Sequence, residues 1–342
     1  MAVYNGVPYL GAALDSILAQ TRSDFELVIV DDGSTDDTPA MLRIYAIRDS
    51  RVVLLRNAQN LRLPASLNVG LAACRAPLVA RADGDDYYPP TRLEKQWNFL
   101  ERHPRVGVVS GYSDRLNEHE RLLGLQKLPV DNGAIKFNLL WESSVCHPAT
   151  MYRREVIQSV GGYDTAYPTA QDYDLWARLR DLTEFANLPE PLITIRIHAA
   201  SSSIRRGAEQ SRLACGISKR LLTRYLGKAL ADDDVAGLRN VLCAYAAPSK
   251  DELHTGLRLL DDLLCQARLR ESPATLCWAK RAIAVSLIKQ AHYRTYADPG
   301  GSWKLLQTAS KVSMRRAVWL PVTLQVLRLL LAKYRTRSPL PV

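Results

Sequence analysis

Over the first two hundred positions the apolar residues recur in two alternating rhythms. Leu10, Ala13, Leu14, Ile17 and Leu18 fall at helical spacing just after Pro8, a residue that suits a first helical turn. Phe25-Glu26-Leu27-Val28-Ile29-Val30 then reads as a buried strand. It ends in Asp31-Asp32-Gly33-Ser34-Thr35-Asp36, turn chemistry in which Ser34 or Thr35 is expected to cap the next helix. The same reading predicts strands over 52–55, 78–80 and 106–109 and helices over 64–73 and 90–103. Strands alternating with helices predict an α/β fold, a parallel sheet with helices on both faces.

After about residue 200 the strand rhythm stops. Helices are expected over 209–228, 232–246, 251–269 and 273–293, with a fifth helical region over 303–335 broken at Pro321. Leu221, Leu222 and Leu226, and Leu257, Leu260 and Leu264, mark their packing faces. Charge changes at the same place. Residues 1–200 carry 21 Lys+Arg against 25 Asp+Glu, net −4, and residues 201–342 carry 24 against 10, net +14. A boundary near Ser201–Arg206 follows, giving an α/β domain over 1–204 and a basic helical domain over 205–342. No internal repeat is visible.

Six cysteines, at 74, 146, 215, 243, 265 and 277, form no Cys-x-x-Cys pair, so neither a zinc site nor a disulfide framework is indicated. Reduced, mostly buried thiols in a cytoplasmic protein are expected. The amino end lacks the basic-then-apolar pattern of a secretory leader. The best apolar run, 317–327, contains Pro321 and Gln325 and is too short to span a bilayer. The basic, aromatic segments around Arg315-Arg316, Trp319 and Lys333-Tyr334-Arg335 suit either an anionic membrane face or plain solvation. Nucleic acid is not an expected partner, because no recognition motif accompanies the charge.

Two acidic clusters follow predicted strands: Asp31 and Asp32, and Asp83, Asp85 and Asp86. In an open parallel sheet, ligands bind beyond the carboxyl ends of the strands. Crowded carboxylates repel one another unless a cation or donor groups relieve them, and a hard divalent cation with oxygen ligands does so while keeping sites for phosphate oxygens. Either cluster alone is equally good turn or solvated-loop chemistry; both together, at strand ends, favour a site.

The ordered pieces Val3-Tyr4-Asn5-Gly6, Ser16 to Thr21, Val30-Asp31-Asp32-Gly33-Ser34-Thr35-Asp36, Arg56-Asn57 with Asn60-Leu61, Asp83-Gly84-Asp85-Asp86, Gly161-Gly162-Tyr163-Asp164, Gln171-Asp172-Tyr173-Asp174-Leu175-Trp176 and Arg196-Ile197-His198 resemble family 2 glycosyltransferases over residues 2 to about 203. The resemblance implies the GT-A nucleotide-diphospho-sugar transferase fold, a mostly parallel Rossmann-like sheet, with a C-terminal all-α region outside it. By position it implies that Asp32 bonds the nucleobase, with Val3, Tyr4 and Asn5 lining the nucleotide pocket. Asp83-Gly84-Asp85 corresponds to the family's D-x-D motif: Asp85 binds Mn²⁺ or Mg²⁺, and Asp83 contacts the ribose or the metal shell. Asp172 corresponds to the catalytic base, preceded by Gln171 where Glu is common. For His198, a place beside the diphosphate and metal and a structural hydrogen-bonding role both stay open. His147 reads as structural or acceptor-lining and Trp176 as core.

The implied activity is inverting, non-processive transfer of a sugar from a nucleotide-sugar, of uridine type, to a saccharide or lipid-linked acceptor hydroxyl, as in surface polysaccharide synthesis. The expected place is the cytoplasm, either in solution or, through the basic C-terminal region, peripheral on the inner membrane face. Processive relatives carry Gln-x-x-Arg-Trp and membrane spans, and neither is in this sequence. A sugar nucleotidyltransferase is disfavoured, because Asn5-Gly6-Val7-Pro8 stands where those enzymes have a Gly-rich basic loop. A catalytically degenerate nucleotide-sugar-binding or assembly subunit is the other reading. Members of the family usually begin with a complete apolar strand, whereas here Met1 falls inside it, so either the true start lies upstream, which is the expectation, or the first strand is shortened.

Overall fold

The computed structural model describes residues 1–198, 206–243, 249–294 and 299–312. The expected features at 315–337 lie outside them. The chain divides into two compact units, Met1–Ile217 and Ser218–Val342.

In the first unit, β1 (Ala2–Val3), β2 (Leu27–Asp31) and β3 (Val52–Arg56) form a parallel sheet, with Ala2 opposite Val30 and Leu27 opposite Val52. All five residues of β2 are buried, as a strand covered on both faces requires. Helix α1 (Val7–Leu18) buries Leu10, Ala13, Leu14 and Ile17, the stripe its spacing predicts. Helices α2 (Thr38–Arg48) and α3 (Leu63–Ala73) follow β2 and β3. Neither Ser34 nor Thr35 caps α2. The helix starts later, and the Thr38 N–H donates to Asp36 Oδ1 at 3.0 Å, because Ser34 and Thr35 are drawn to Asn5 instead.

The second sheet departs from an all-parallel expectation. Here β4 (Leu78–Ala80) runs antiparallel to β7 (Met151–Arg153), which runs antiparallel to β5 (Val106–Asn117). Strand β5 pairs in parallel with β8 (Glu184–Ile197) and in antiparallel with β6 (Leu122–Gln126). The expected strand at 106–109 is therefore only the buried first third of β5. Its continuation is polar, because it pairs with the exposed hairpin strand β6. Helix α4 (Arg92–Arg102) precedes β5, α5 (Asn132–Asn138) and α6 (Arg154–Gln158) flank β7, and α7 (Gln171–Leu179) precedes β8. One core gathers Val3, Leu10, Leu14, Leu27, Ile29, Leu42, Ala82, Tyr88, Leu192 and Ile193, and so joins α1 and the first sheet to the ends of β4 and β8.

Helix α8 (Gly207–Leu226) runs through the division between the units. In the second unit, α9 (Asp232–Cys243) and α10 (Lys250–Arg270) cross closely enough that a Cβ on Gly256 would stand 2.4 Å from Gly237 O. Helices α11 (Pro273–Arg294) and α12 (Pro299–Val312) complete its described part. Leu257, Leu260 and Leu264 are buried as their spacing predicts. The cysteines are less buried than expected: four are half-buried, and Cys265 and Cys277 lie on solvent faces of their helices. Among the described residues no helix is long and apolar enough to cross a membrane.

Strand β1 is two residues long. The amino group of Met1 takes the place of a strand amide, donating to Val28 O at 2.9 Å. Burial, helped by the charge of Arg81, lowers its pKa to about 5. In the unfolded chain the same amine stays protonated up to about pH 8. Between these values the unfolded state holds more protons, so stability should rise with pH from about 5 to 8, by up to ~1.4 kcal/mol per unit. Buried His147, held neutral by burial, adds a slope of the same sign. Urea unfolding at several pH values should show the rise, and N-terminal acetylation should remove the part due to Met1.

Candidate active site

Three loops at the carboxyl end of the first sheet are laced together. Asp31, the last residue of β2, accepts from Ser34 N at 2.9 Å and ion-pairs with Arg56 Nε at 3.2 Å, which closes its turn and ties β2 to β3. Asp32 donates its N–H to Val3 O at 2.8 Å. Its Oδ1 accepts from Asn57 Nδ2 and Leu61 N, both at 2.8 Å. Asn5, in left-handed backbone at φ 52, donates its N–H to Ser34 Oγ and accepts from Thr35 N at 2.9 Å. Gly33 at φ +73 allows the close approach, since a Cβ there would stand 2.7 Å from Gln59 C. Val3 is packed in the core and its carbonyl holds Asp32, whereas Tyr4 is 47% exposed.

The second acidic cluster sits on the same corner, because a Cβ on Gly84 would lie 3.6 Å from Val3 Cγ2. Its carboxylates have separate partners. Asp83 ion-pairs with Arg81, whose guanidinium is buried. Asp86 Oδ1 accepts from Arg196 N at 3.1 Å. Asp85 Oδ2 stands 3.1 Å from His198 Nε2. Burial, then the charge of Asp83, raises the Asp85 carboxyl above its ordinary value, and the same causes with Asp85 added raise Asp86 further. The end of β8 is thus stitched to this loop: Tyr87 and Thr194 exchange backbone bonds at 3.0 and 2.9 Å. The Arg196 guanidinium bonds Tyr87 Oη at 2.7 Å and Glu120 at 3.1 Å, over the Tyr9 ring.

These residues fit a divalent cation. A carboxylate beside an imidazole, in a loop whose two further carboxylates are only partly offset by Arg81, is a donor set that a hard cation suits. With Asp83 engaged by Arg81 and Asp86 by a backbone amide, Asp85 and His198 are the two side chains of this corner that could face a cation. Among the described residues no third His, Cys, Asp or Glu joins them, so the other coordination positions would fall to phosphate oxygens and water.

Asp172 lies in the first turn of α7 and is half-buried. Burial raises its carboxyl, its own and the Tyr173 amide N–H hold the charged form, and the charges of Asp83 and Arg81 act on it in opposite directions. Asp174 has a different role. It is 1% exposed and bonds Arg178 Nε at 2.7 Å, and Arg178 in turn holds Val160 O and Gly162 O at 2.6 and 2.8 Å. His147 is buried against Tyr163, with Nε2 2.9 Å from Tyr163 Oη. Trp176 is fully buried, a core residue as expected. Arg81, Tyr9, Glu120 and the guanidinium of Arg196 had no role in the sequence reading. Arg81 had a signal, a lone cation two positions before the first Asp of the loop.

The Glycosyl transferase family 2 model matches residues 1–161. The O-antigen biosynthesis glycosyltransferase WbnJ of Escherichia coli is 32% identical over 206 residues, 59% of this chain and 80% of that protein. The amylovoran biosynthesis glycosyltransferase AmsE of Erwinia amylovora is 32% identical over 204 residues, 58% of this chain and 74% of that protein. In fold, the chain is similar to S. aureus TarS 1-349 in complex with UDP-GlcNAc, with TM-score 0.55 and 14% identity over 91% of this chain and 90% of that one. It spans 54% of a longer TarS chain.

Proposed function

The chain belongs to the family 2 glycosyltransferases and has their GT-A fold, and on that premise we propose that it is a metal-dependent, inverting, non-processive transferase that moves a sugar from a nucleoside-diphosphate donor, preferentially a uridine type, onto an acceptor hydroxyl in surface polysaccharide synthesis. What supports the reading is that the charges of Asp83 and Arg81 act on the Asp172 carboxyl, the influence a base near the Asp83-Gly84-Asp85 loop would feel.

Each residue has a definite part in this reading. Asp32, with Oδ1 committed to Asn57 and Leu61, offers Oδ2 to an imide N–H of the base. Tyr4 covers the base, and Asn5 holds the loop that carries Asp32. Asp83, steadied by Arg81, meets the ribose. Asp85 and His198 would hold Mn²⁺ or Mg²⁺, which when bound neutralises the diphosphate as it leaves. Asp172 takes the proton of the acceptor hydroxyl as that oxygen attacks the anomeric carbon from the face opposite the diphosphate. A single displacement inverts the centre. The deciding experiment is titration of UDP-, dTDP- and GDP-sugars with Mn²⁺ and with chelator, followed by transfer to a saccharide acceptor. Binding without transfer or hydrolysis of any donor would favour the degenerate-subunit reading.

The second unit is assigned location rather than chemistry. Residues 201–342 carry net +14, and α12 presents Trp303, 64% exposed, beside Lys304. These features suit peripheral contact with an anionic surface where lipid-linked acceptors reside. The chain should sediment with anionic liposomes at low salt and be released at high salt, since surface attraction is screened. Salt-insensitive association, or none, would count against it.

A further inference from the structure

The first carboxylate of the D-x-D loop is held through its backbone by a buried side chain, that of Tyr88. The β4 ladder ends where Arg81 N donates to Thr150 O at 2.9 Å, and the chain rejoins a sheet where Tyr87 meets Thr194. Asp83 lies between these points. Its N–H donates to Tyr88 Oη at 2.6 Å, and Tyr88 Oη donates to Asp83 O at 3.2 Å. A hydroxyl has one proton to give, and Tyr88 commits it, with an acceptor position, to the two backbone groups of a single residue. Tyr88 is 3% exposed, and burial holds its hydroxyl well above its ordinary pKa, so it stays neutral and able to donate.

The tyrosine is fixed in turn. Its N–H donates to Ser16 Oγ at 3.2 Å, and its C=O accepts from Gln20 Nε2 at 3.4 Å. The Arg92 guanidinium stands 4.7 Å from the centre of its ring. Arg92 donates to Arg81 O at 2.7 Å, Thr150 O at 3.1 Å and Gln96 Oε1 at 3.0 Å. Gln96 Nε2 donates onward to Ala149 O at 2.8 Å and Val109 O at 3.2 Å. Arg92 and Gln96, one turn apart on α4, are 2% and 0% exposed. These acceptors of Arg92 are all neutral. A buried guanidinium bonded only to neutral groups costs free energy that a well-packed apolar side chain would not. What it supplies is geometry: one planar fork joins the end of β4 to the residue before β7 and faces an aromatic ring.

We propose that Tyr88 is a positioning residue of the donor site: its hydroxyl, with the ring held by Arg92, fixes the backbone of Asp83 and so aims the Asp83 carboxylate at the ribose. The inference rests on the reading of Asp83-Gly84-Asp85 as the donor-binding loop. Asp83 has two restraints, the Arg81 ion pair on its side chain and the Tyr88 hydroxyl on its backbone. Removing the second leaves the first, so the carboxylate keeps its ion pair and loses its fixed direction. The defect then falls on donor affinity and not on proton removal at Asp172.

The test is Tyr88→Phe in the full chain, which removes the hydroxyl and keeps the ring on Arg92. The Kd of UDP in Mn²⁺, and the donor KM, should rise by about tenfold, with kcat within about twofold of the parent. A purely structural role gives the other pattern, fewer active molecules, and so a lower kcat at unchanged KM. Hydrogen exchange, read by peptide mass mapping with no nucleotide present, should quicken by about tenfold over 82–86 and stay unchanged over β2. Tm should fall by only roughly 2–4 °C, the scale of one hydrogen bond in a domain of this size. Arg92→Lys, which keeps the charge and loses the fork, should move affinity and exchange in the same direction. Unchanged exchange over 82–86 would overturn the clamp whatever the protein binds. Faster exchange with unchanged UDP affinity would overturn the positioning role. A parent that binds no nucleoside diphosphate in Mn²⁺ would overturn the reading of the loop and the positioning role with it, and the exchange result tells that failure from a failure of the clamp.

Discussion

Replacing Asp172 with Asn is expected to lower transfer by about 10²–10⁴-fold while donor affinity and Tm stay near those of the parent. An acceptor hydroxyl is a poor nucleophile at neutral pH, and its proton must leave as the new bond forms. On the proposed reading Asp172 does that work, under opposing effects: burial raises its carboxyl, and two amide N–H groups at the start of α7 hold its charged form. A base with a raised pKa is protonated earlier as pH falls, so the parent's rate should drop through a value above the ordinary carboxylate range, and the residual rate of Asp172→Asn should lack that limb. Stability should survive, because removing a half-buried charge offsets the weakened bonds to the two amides. Asp174→Asn makes the contrast. Asp174 is locked to Arg178, which fastens the segment at Val160 and Gly162, so breaking this pair should cost about 3–5 kcal/mol of stability and lower Tm, with less effect on the rate per folded molecule. Near-normal transfer by Asp172→Asn would leave the carboxylate as a helix-start residue only, and the base would have to be sought elsewhere.

What the sequence disclosed and what it hid have physical reasons. Strand β2 and its two aspartates were legible because a buried parallel strand is a continuous apolar run, and its end is punctuated by turn residues. The helices of the second unit were legible from leucine spacing alone. The second sheet was not. Strand β7 has three residues, and β6 carries exposed Leu122, Leu123 and Leu125, so neither alternates as a half-buried strand should. Their pairing is set by β5, which is met from both sides. Within the site, residue types announced Asp32, Asp85 and Asp172, but not their partners. Asp85 meets His198 across 113 positions and Asp86 meets Arg196 across 110. No local pattern encodes such contacts, since the bridge of Tyr87 to Thr194 brings this loop to the end of β8.

Asp85→Ala should weaken binding of a nucleoside diphosphate in Mn²⁺ by about 10²-fold or more, and much less in chelator. That factor corresponds to about 3 kcal/mol, the several-kcal/mol scale on which a bound divalent ion stabilises phosphoryl charge. Of the three carboxylates in the loop, Asp85 is the one best placed to release its partner to a cation. Asp83 has the buried guanidinium of Arg81, Asp86 has the Arg196 amide, and Asp85 has a histidine that can itself act as a ligand. His198→Ala should therefore reduce metal affinity in the same direction by a smaller factor. Because burial and Asp83 raise the Asp85 carboxyl, protons compete for it at mildly acid pH, and the metal requirement of the parent should steepen as pH falls. The competing account is that Asp85 and His198 only tie the D-x-D loop to the end of β8. On that account Asp85→Ala lowers Tm equally with and without Mn²⁺, and nucleotide binding by parent and mutant responds identically to chelator. Isothermal titration and thermal unfolding, each with and without Mn²⁺, separate the two, and an identical chelator response would withdraw the metal from this site.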